Sequence, residues 1–349
     1  MKIRRMILKG VRNFQNLDLC LEDDWSSAIP DSLLLVGPNG SGKTTLLQTV
    51  ANLWGFSYLF FMQGERRFSF SATSVFVNCH FAALEISGLD RAPIWFCFGP
   101  EDEALKLRAD YPKAHIIYST KINVDEQSFN LSLSSPGEEQ VAWVREWEQR
   151  FIGNIVGAQR DLPNLVFLES ETRILPKLEK EFDIEPEPDE YNHLALYRPV
   201  SGRKGSIENY LFTLSAVDRP AFDSIASQIN QFWIGKRLAG FDPRTRRLMV
   251  EIEATGERHL VEGLSSGEKQ VLLMIAFITR WLRPGGIVLI DEPDLHLNVS
   301  LTNALVSHLR RLVSERDGQL IIASHVPELW NQFPGPQQIR LSNVSEAQL

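Results

Sequence analysis

With 349 residues and 44% hydrophobic content, the chain can bury a sizeable core, and its length suggests about two domains. A formal net charge of -8 argues against broad, charge-driven adhesion to nucleic acid or anionic membrane, and no apolar run reaches the roughly 18 residues that a membrane-spanning helix needs. The start, MKIRRMILKG, lacks a secretory leader pattern, so a cytoplasmic location is expected, and Cys20, Cys79 and Cys97 show neither CxxC spacing nor a nearby His pair, which speaks against a disulfide framework or a zinc site.

Taken in order, Ile3 to Leu8 and Leu17 to Leu21 alternate as strands do, with Arg12, Asn13 and Phe14 at the bend between them. Leu33 to Val36 is a buried strand that runs into a glycine-rich loop, and Thr44 to Leu53 follows as a helix. Runs at Val75 to Ile86, Ile94 to Phe98, Ile116 to Tyr118, Phe129 to Leu133 and Val166 to Leu168 predict a strand-rich middle, interrupted by an amphipathic helix over Glu138 to Phe151. An acidic stretch from Glu179 to Glu190, broken by Pro186 and Pro188, reads as a solvated loop. Helical spacing then covers Pro220 to Trp233, two short strands Leu238 to Phe241 and Leu248 to Ile252, a helix Gly267 to Trp281, a buried strand Ile287 to Ile290, a helix Leu301 to Val313 and a last buried strand Leu320 to Ala323. Strands alternating with helices imply a parallel sheet. No heptad pattern is sustained, so long coiled-coil arms are not expected.

Residues Gly37 to Thr44 read GPNGSGKT and fit G-x-x-x-x-G-K-[ST] between a strand and a helix, the context this motif requires. Glycines let successive backbone N–H groups turn toward one anion, and the helix N-terminus adds the positive end of its dipole. Asn39, Gly40, Ser41, Gly42, Lys43, Thr44 and Thr45 are the expected phosphate contacts, with Lys43 reaching the β and γ phosphates of ATP and Thr44 placing its hydroxyl on Mg²⁺. Asp291 and Glu292 end the buried run Ile287 to Ile290, at the edge where parallel sheets bind ligands. Asp291 is expected on the metal, and Glu292 beside the water that attacks. Leu264 to Gln270 reads LSSGEKQ, for which two readings stand: Ser265 and Glu268 have the spacing of a helix capping box, and Ser265, Ser266, Gly267 and Glu268 could contact a γ-phosphate at a helix N-terminus.

GPNGSGKT, LSSGEKQ, IVLIDEPDLHLN and Ser324-His325, in that order, resemble the phosphate loop, signature, acidic strand and switch histidine of ABC-type P-loop ATPases. The long interval 45–263 between the first two, the DLHLN segment and the opening KGVRNFQNLDL resemble the RecF, SMC and OLD branch more than transporter ATPases. The resemblance implies an α/β P-loop NTPase: an ABC-type head with a RecA-like parallel sheet, antiparallel N-terminal strands and an inserted signature-bearing lobe. On that pattern, 1–60 and 264–349 form the nucleotide-binding core, and 61–263 the inserted mixed α/β lobe that leads into the signature helix.

The same resemblance implies ATP sandwiched in a head-to-tail homodimer, with Asp294 and His296 in the loop between the two sites and His325 sensing the γ-phosphate. Catalytic roles fall to Lys43, Glu292 and His325. The Mg²⁺-binding glutamine of many relatives has the candidates Gln63, Gln127, Gln140 and Gln159, of which Gln159 is assigned to the metal beside Thr44 and Asp291. Arg12 and Phe14 are candidates for base contact, with strand-turn packing the alternative. Arg173, ending VFLESETR, resembles a strand-end arginine of such ATPases to which no role attaches, with a surface ion pair the alternative. Only 326–349 follow His325, so a nuclease domain of the OLD kind is not expected here. The expected function is an ATP-driven switch acting on DNA or on a separately encoded effector, in DNA maintenance or phage defence, without a membrane partner. The energising subunit of a membrane transporter is the rival, and an ATP-binding module without turnover is disfavoured by the presence of Glu292.

Overall fold

The computed structural model describes residues 1–23, 27–61, 76, 78–123, 128–134, 149, 162–176, 192–199 and 206–341. Its centre is a parallel sheet made from the most apolar runs of the chain. The strands are β3 (Ser32–Val36), β8 (Leu165–Leu168), β9 (Leu194–Leu196), β13 (Ile287–Asp291), β14 (Gln319–Ser324) and β15 (Gln338–Arg340), in the spatial order β15-β3-β14-β13-β8-β9. All pair in parallel, with Asp291 opposite Ala323, Ser324 opposite Val36 and Leu168 opposite Ile290. Strands covered on both faces carry continuous rather than alternating hydrophobicity, as β13 (IVLID) and β14 (QLIIAS) do.

A second six-stranded sheet has the order β2-β1-β4-β5-β6-β7 and is mainly antiparallel, with β5 and β6 parallel. It comprises β1 (Lys2–Val11), β2 (Phe14–Cys20), β4 (Phe81–Ser87), β5 (Ile94–Phe98), β6 (His115–Asn123) and β7 (Ser128–Ser134). Helix α1 (Lys43–Phe61) lies between the two sheets, and Leu46, Leu47, Val50, Leu53 and Trp54 share one core with Met6 and Phe96 on one side and Leu35, Leu289 and Ile321 on the other. A helix covered on both flanks has no wide polar face to keep, so apolar residues occur on more than one side of it. On the far face of the second sheet, α2 (Glu101–Asp110) packs Ala104 and Leu107 against Phe81, Trp95 and Ile116.

The opposite face of the central sheet is covered by α3 (Ile207–Val217), α4 (Arg219–Asn230), α5 (Ser266–Trp281) and α6 (Val299–Ser314), which form one core with Val166, Val288, Ile290 and Ile322. Strands β10 (Lys236–Phe241), β11 (Leu248–Ile252) and β12 (Arg258–Leu260) make a small antiparallel meander ahead of α5, and the short helix α7 (Pro327–Trp330) follows β14. The expected α/β architecture with a RecA-like parallel sheet and antiparallel N-terminal strands is present. Segment 61–263 supplies strands to both larger sheets: β4 to β7 extend the N-terminal hairpin, and β8 and β9 extend the central sheet.

Some elements differ from their sequence expectation. Helix α1 runs to Phe61 rather than Leu53, β2 begins at Phe14, and of the run from Val75 the part that is described as strand begins at Phe81, residues 75 and 77 lying outside the described residues. The periodic stretch from Pro220 stops at Asn230, where Phe232 and Trp233 close a turn on the backbone of Ile229 and Asn230. The helix expected over Glu138 to Phe151 and the acidic stretch Glu179 to Glu190 lie outside the described residues, apart from residue 149. Successive β13 residues face opposite cores, Ile290 the helical layer and Leu289 the α1 layer. Leu289 is fully buried, so Leu289→Ala is expected to cost about 2–5 kcal/mol in urea unfolding through lost burial and the cavity left behind.

Candidate functional site at the edge of the parallel sheet

Because β3, β14, β13 and β8 run in parallel register, the residues that follow them meet along one edge: Gly37, His325, Glu292 and Glu169. The loop after β3 turns through Gly40 (φ +80) and Gly42 (φ +94), and a Cβ on Gly42 would come within 2.4 Å of the Phe14 ring. Phe14 is therefore a buried support beneath the loop, 6% exposed, which favours packing over base contact. Asn13 Nδ2 donates to Gly40 O at 2.5 Å, tying the β1–β2 bend to the same loop.

Lys43 opens α1 and is buried, donating from Nζ to Gly37 O at 2.8 Å and Pro38 O at 2.9 Å. Burial lowers its ammonium below the usual lysine range, against the opposing pull of Glu292, Asp291 and Asp294. The first turn of α1 contains no acidic residue of its own, so the helix does not neutralise its positive end from within. Asn39 and Gly40 are exposed, Thr44 is exposed beside the buried Thr45, and the Oγ of buried Ser41 has no hydrogen-bond partner.

Thr44 meets Asp291 across 247 positions of sequence: Thr44 Oγ1 donates to Asp291 Oδ2 at 2.9 Å, and Ser170 Oγ donates to the same oxygen at 3.1 Å. Asp291 is 1% exposed and its other oxygen, Oδ1, has no hydrogen-bond partner among the described residues. Burial raises its pKa, opposed by the Thr44 and Ser170 hydrogen bonds. A buried carboxylate with one idle oxygen, flanked by two hydroxyls, is an all-oxygen donor set of the kind Mg²⁺ accepts, with the rest of its shell left to water and phosphate. Among the described residues there is no cluster of three or more His, Cys, Asp or Glu side chains that would suit a softer or fully caged metal.

Glu292 adopts φ +47, a left-handed conformation uncommon for a residue with a side chain, and its N–H donates to Ala323 O at 2.8 Å. His325 Nδ1 lies 3.3 Å from Glu292 Oε1, and both side chains reach solvent. Asp294 accepts from Ser324 Oγ at 2.7 Å, which fixes the loop after Glu292 to the end of β14, and His296 also has a positive φ, +68.

Ser265 is the N-cap of α5, and its capping box with Glu268 is complete: Glu268 N donates to Ser265 Oγ at 3.3 Å and Ser265 N to Glu268 Oε2 at 2.8 Å. Lys236 of β10 holds Glu268 as well, at 2.9 Å, and although burial would raise the Glu268 carboxyl, these hydrogen bonds keep it below the usual glutamate range. Ser265 and Ser266 are exposed, whereas a Cβ on buried Gly267 would come within 2.9 Å of His296 O. The cap leaves the N-terminal N–H groups ahead of Glu268 open to solvent, so both readings of LSSGEKQ remain compatible with this geometry.

The structure thus gathers Lys43, Thr44, Asp291, Glu292 and His325 at one edge, with Ser265 to Glu268 at the end of a separate helix. Gln159, and with it Gln63, Gln127 and Gln140, lies outside the described residues. Gln48, which the sequence did not single out, and Arg173, to which it attached no role, also converge here. Gln48 accepts from Arg12 at 3.2 Å and donates to Glu169 at 3.1 Å, and Arg173 donates to the carbonyls of Asp291 and Glu292. For Glu169 and Arg173 the signal was the position of ESETR directly after a buried parallel strand, the rule that singles out Asp291 and Glu292; Gln48 carried none.

The chain has the fold and the motif order of ABC-type P-loop ATPase heads such as those of SMC proteins. A family model described as "AAA domain, putative AbiEii toxin, Type IV TA system" matches residues 159–331. A crystal structure of an SMC head bound to the C-winged helix domain of ScpA aligns over 95% of this chain and 91% of its own, at a TM-score of 0.50 and 14% identity. The SMC head domain from Thermotoga maritima aligns over 95% and 92% at a TM-score of 0.45 and 13% identity. In sequence, protein ea59 of Escherichia phage lambda is 35% identical over 71 residues, which is 20% of this chain and 14% of that protein. Among the described residues no helix is long and apolar enough to cross a membrane.

A buried carboxylate with a raised pKa subtracts from stability once it ionises. The cost is absent below the pKa of an unfolded aspartate and complete above the folded one. Asp291→Asn is therefore expected to raise the melting temperature of the ligand-free protein at neutral pH, with the gain shrinking as pH falls through the carboxylate range; thermal denaturation across pH checks this.

Proposed function

We propose that this chain binds ATP with Mg²⁺ at the sheet edge and hydrolyses it in a head-to-tail homodimer, driving a conformational switch in a separate partner. The observation that carries the reading is the Thr44–Asp291 contact beside buried Lys43, with Asp291 Oδ1 left idle. In this account the backbone of Asn39 to Thr45 and the ammonium of Lys43 receive the triphosphate, and Lys43 exchanges its bonds to Gly37 and Pro38 for phosphate oxygens. Thr44 and Asp291 would hold Mg²⁺, which when bound offsets charge on the γ-phosphoryl group. Glu292 orients and takes a proton from the attacking water, and His325, 3.3 Å away, holds its carboxylate in place. Ser170 takes the position beside Asp291 where a further oxygen ligand is useful, with or without Gln159.

The dimer reading is supported by the exposed Ser265 and Ser266 at a helix N-terminus. Among the described residues Ser265 bonds to Glu268 and, through its carbonyl, to Lys269, and its exposure leaves the helix end able to cover a partner's γ-phosphate. The nature of the downstream partner draws support from similarity alone: a toxin–antitoxin family description, a phage relative, and an SMC head whose structure holds a winged-helix domain. These favour a separately encoded effector protein over direct action on DNA, as does the net charge of -8.

Glu292→Gln retains the phosphate contacts and loses the base. It is expected to accumulate a dimer at saturating ATP, and a monomer by light scattering under those conditions would refute the composite site. Lys43→Ala is expected to lower ATP affinity at least about 100-fold in calorimetry, as a charge-assisted contact to two phosphates is removed; unchanged affinity would contradict the assignment.

A further inference from the structure

Arg173 is 2% exposed, and each oxygen it donates to is an amide oxygen. One terminal nitrogen reaches Asp291 O and Leu168 O, the other reaches Glu292 O at 2.5 Å, and Nε donates to Gln270 Oε1 at 3.1 Å. Gln270 completes the exchange by donating from Nε2 to Arg173 O at 2.7 Å. Burying a guanidinium among carbonyls is expensive, and its pKa is lowered to about 10 by that burial, opposed by Asp291, Asp294 and Glu292. An apolar side chain would fill the space at lower cost; what it would not do is bind two elements in one fixed plane, which the guanidinium fork does.

The two elements are the ones whose coordination the proposed reaction needs. Glu292 sits in a left-handed conformation that persists only where its surroundings hold it, and its carbonyl is held by Arg173. Gln270 lies little more than one turn inside α5, the helix whose N-cap is Ser265. A rigid helix transmits displacement of its end to that turn, and Gly267 of the same turn already abuts the carbonyl of His296 in the loop after Glu292.

We propose that Arg173 is a positioning residue that couples the signature helix to Glu292 of the same chain, so that docking of the Ser265 end on a partner's nucleotide sets the chain's own hydrolytic carboxylate. This rests on the head-to-tail dimer proposed above. Because each chain would then report the filling of its partner's site to its own, the coupling predicts cooperative hydrolysis.

The test measures steady-state ATP hydrolysis against ATP concentration for the wild type, Gln270→Ala and Arg173→Lys, alongside ATP affinity and light scattering of Glu292→Gln with and without Gln270→Ala. The wild type is expected to show a Hill coefficient above about 1, and Gln270→Ala to fall to about 1 with kcat lowered roughly 10- to 100-fold and ATP affinity changed by less than about twofold. Arg173→Lys, which keeps the charge and loses the fork, is expected to lose the same rate and cooperativity. A Gln270→Ala variant with wild-type kcat and Hill coefficient, a non-cooperative wild type, or full activity in Arg173→Lys would each overturn the coupling. Failure of Glu292→Gln to dimerise would remove the dimer itself, a result distinct from dimers that form while Gln270→Ala behaves as its parent. Should Arg173→Lys not fold, Gln270→Ala decides alone.

Discussion

The hydrogen bond from Thr44 to Asp291 joins the first residues of α1 to the last residue of β13, and the site depends on it. It holds two motifs from opposite halves of the sequence together where the proposed triphosphate would lie. It exists because the chain places β3 and β13 in one parallel sheet with β14 between them, so that the ends of all three strands face the same way. The free energy for that placement comes from the apolar residues of β3, β13, β14 and α1, which bury the strands on both faces. The carboxylate at the end is then carried into a low-dielectric position that costs stability on its own. Such a cost is typical of sites shaped for a ligand rather than for the empty protein.

Around that contact, polar groups are arranged by the same sheet edge. Ser170 arrives from β8, Ser324 and His325 from β14, and the Asn13 bend from the neighbouring sheet. Each sits at a strand end or within two residues of one, so backbone register largely sets its position. Arg173 extends this order away from the edge, since its one buried cation meets both the carbonyls after β13 and the helix capped by Ser265. The proposed transmission between composite sites requires nothing beyond rigid-body motion of α5 against that anchor.

Much of this was legible in the sequence where local rules are strict. A glycine spacing before a Lys-Thr pair, and two acids after a β-branched run, signal backbone geometry and a strand end without tertiary information. The central strands were legible because burial on both faces leaves an unbroken apolar run. Helix α2 was not: EDEALKLRAD buries only Glu103, Ala104 and Leu107, so its apolar periodicity is faint, although three acids in its first turn mark a helix start. Helix α3 was hidden for the opposite reason, since IENYLFTLSAV buries residues all round and lacks a polar face. The roles of Ser170, Gln48 and Gln270 could not be read because each is defined by a partner about 100 or more positions away. Phe14 looked like a candidate for base contact because the opening KGVRNFQNLDL resembles the strand pair whose bend lies near the nucleotide in RecF-like heads; its burial against Gly42 appears only when both sheets are in place.

The most direct test of the account is a crystal structure of this chain with Mg²⁺ and a non-hydrolysable ATP analogue. The expected result is one metal ion with Thr44 Oγ1 in its first shell and Asp291 beside it, directly or through water, and with Lys43 on the β and γ phosphates of the same nucleotide. A nucleotide bound elsewhere, or a metal held by residues that include neither Thr44 nor Asp291, would contradict it.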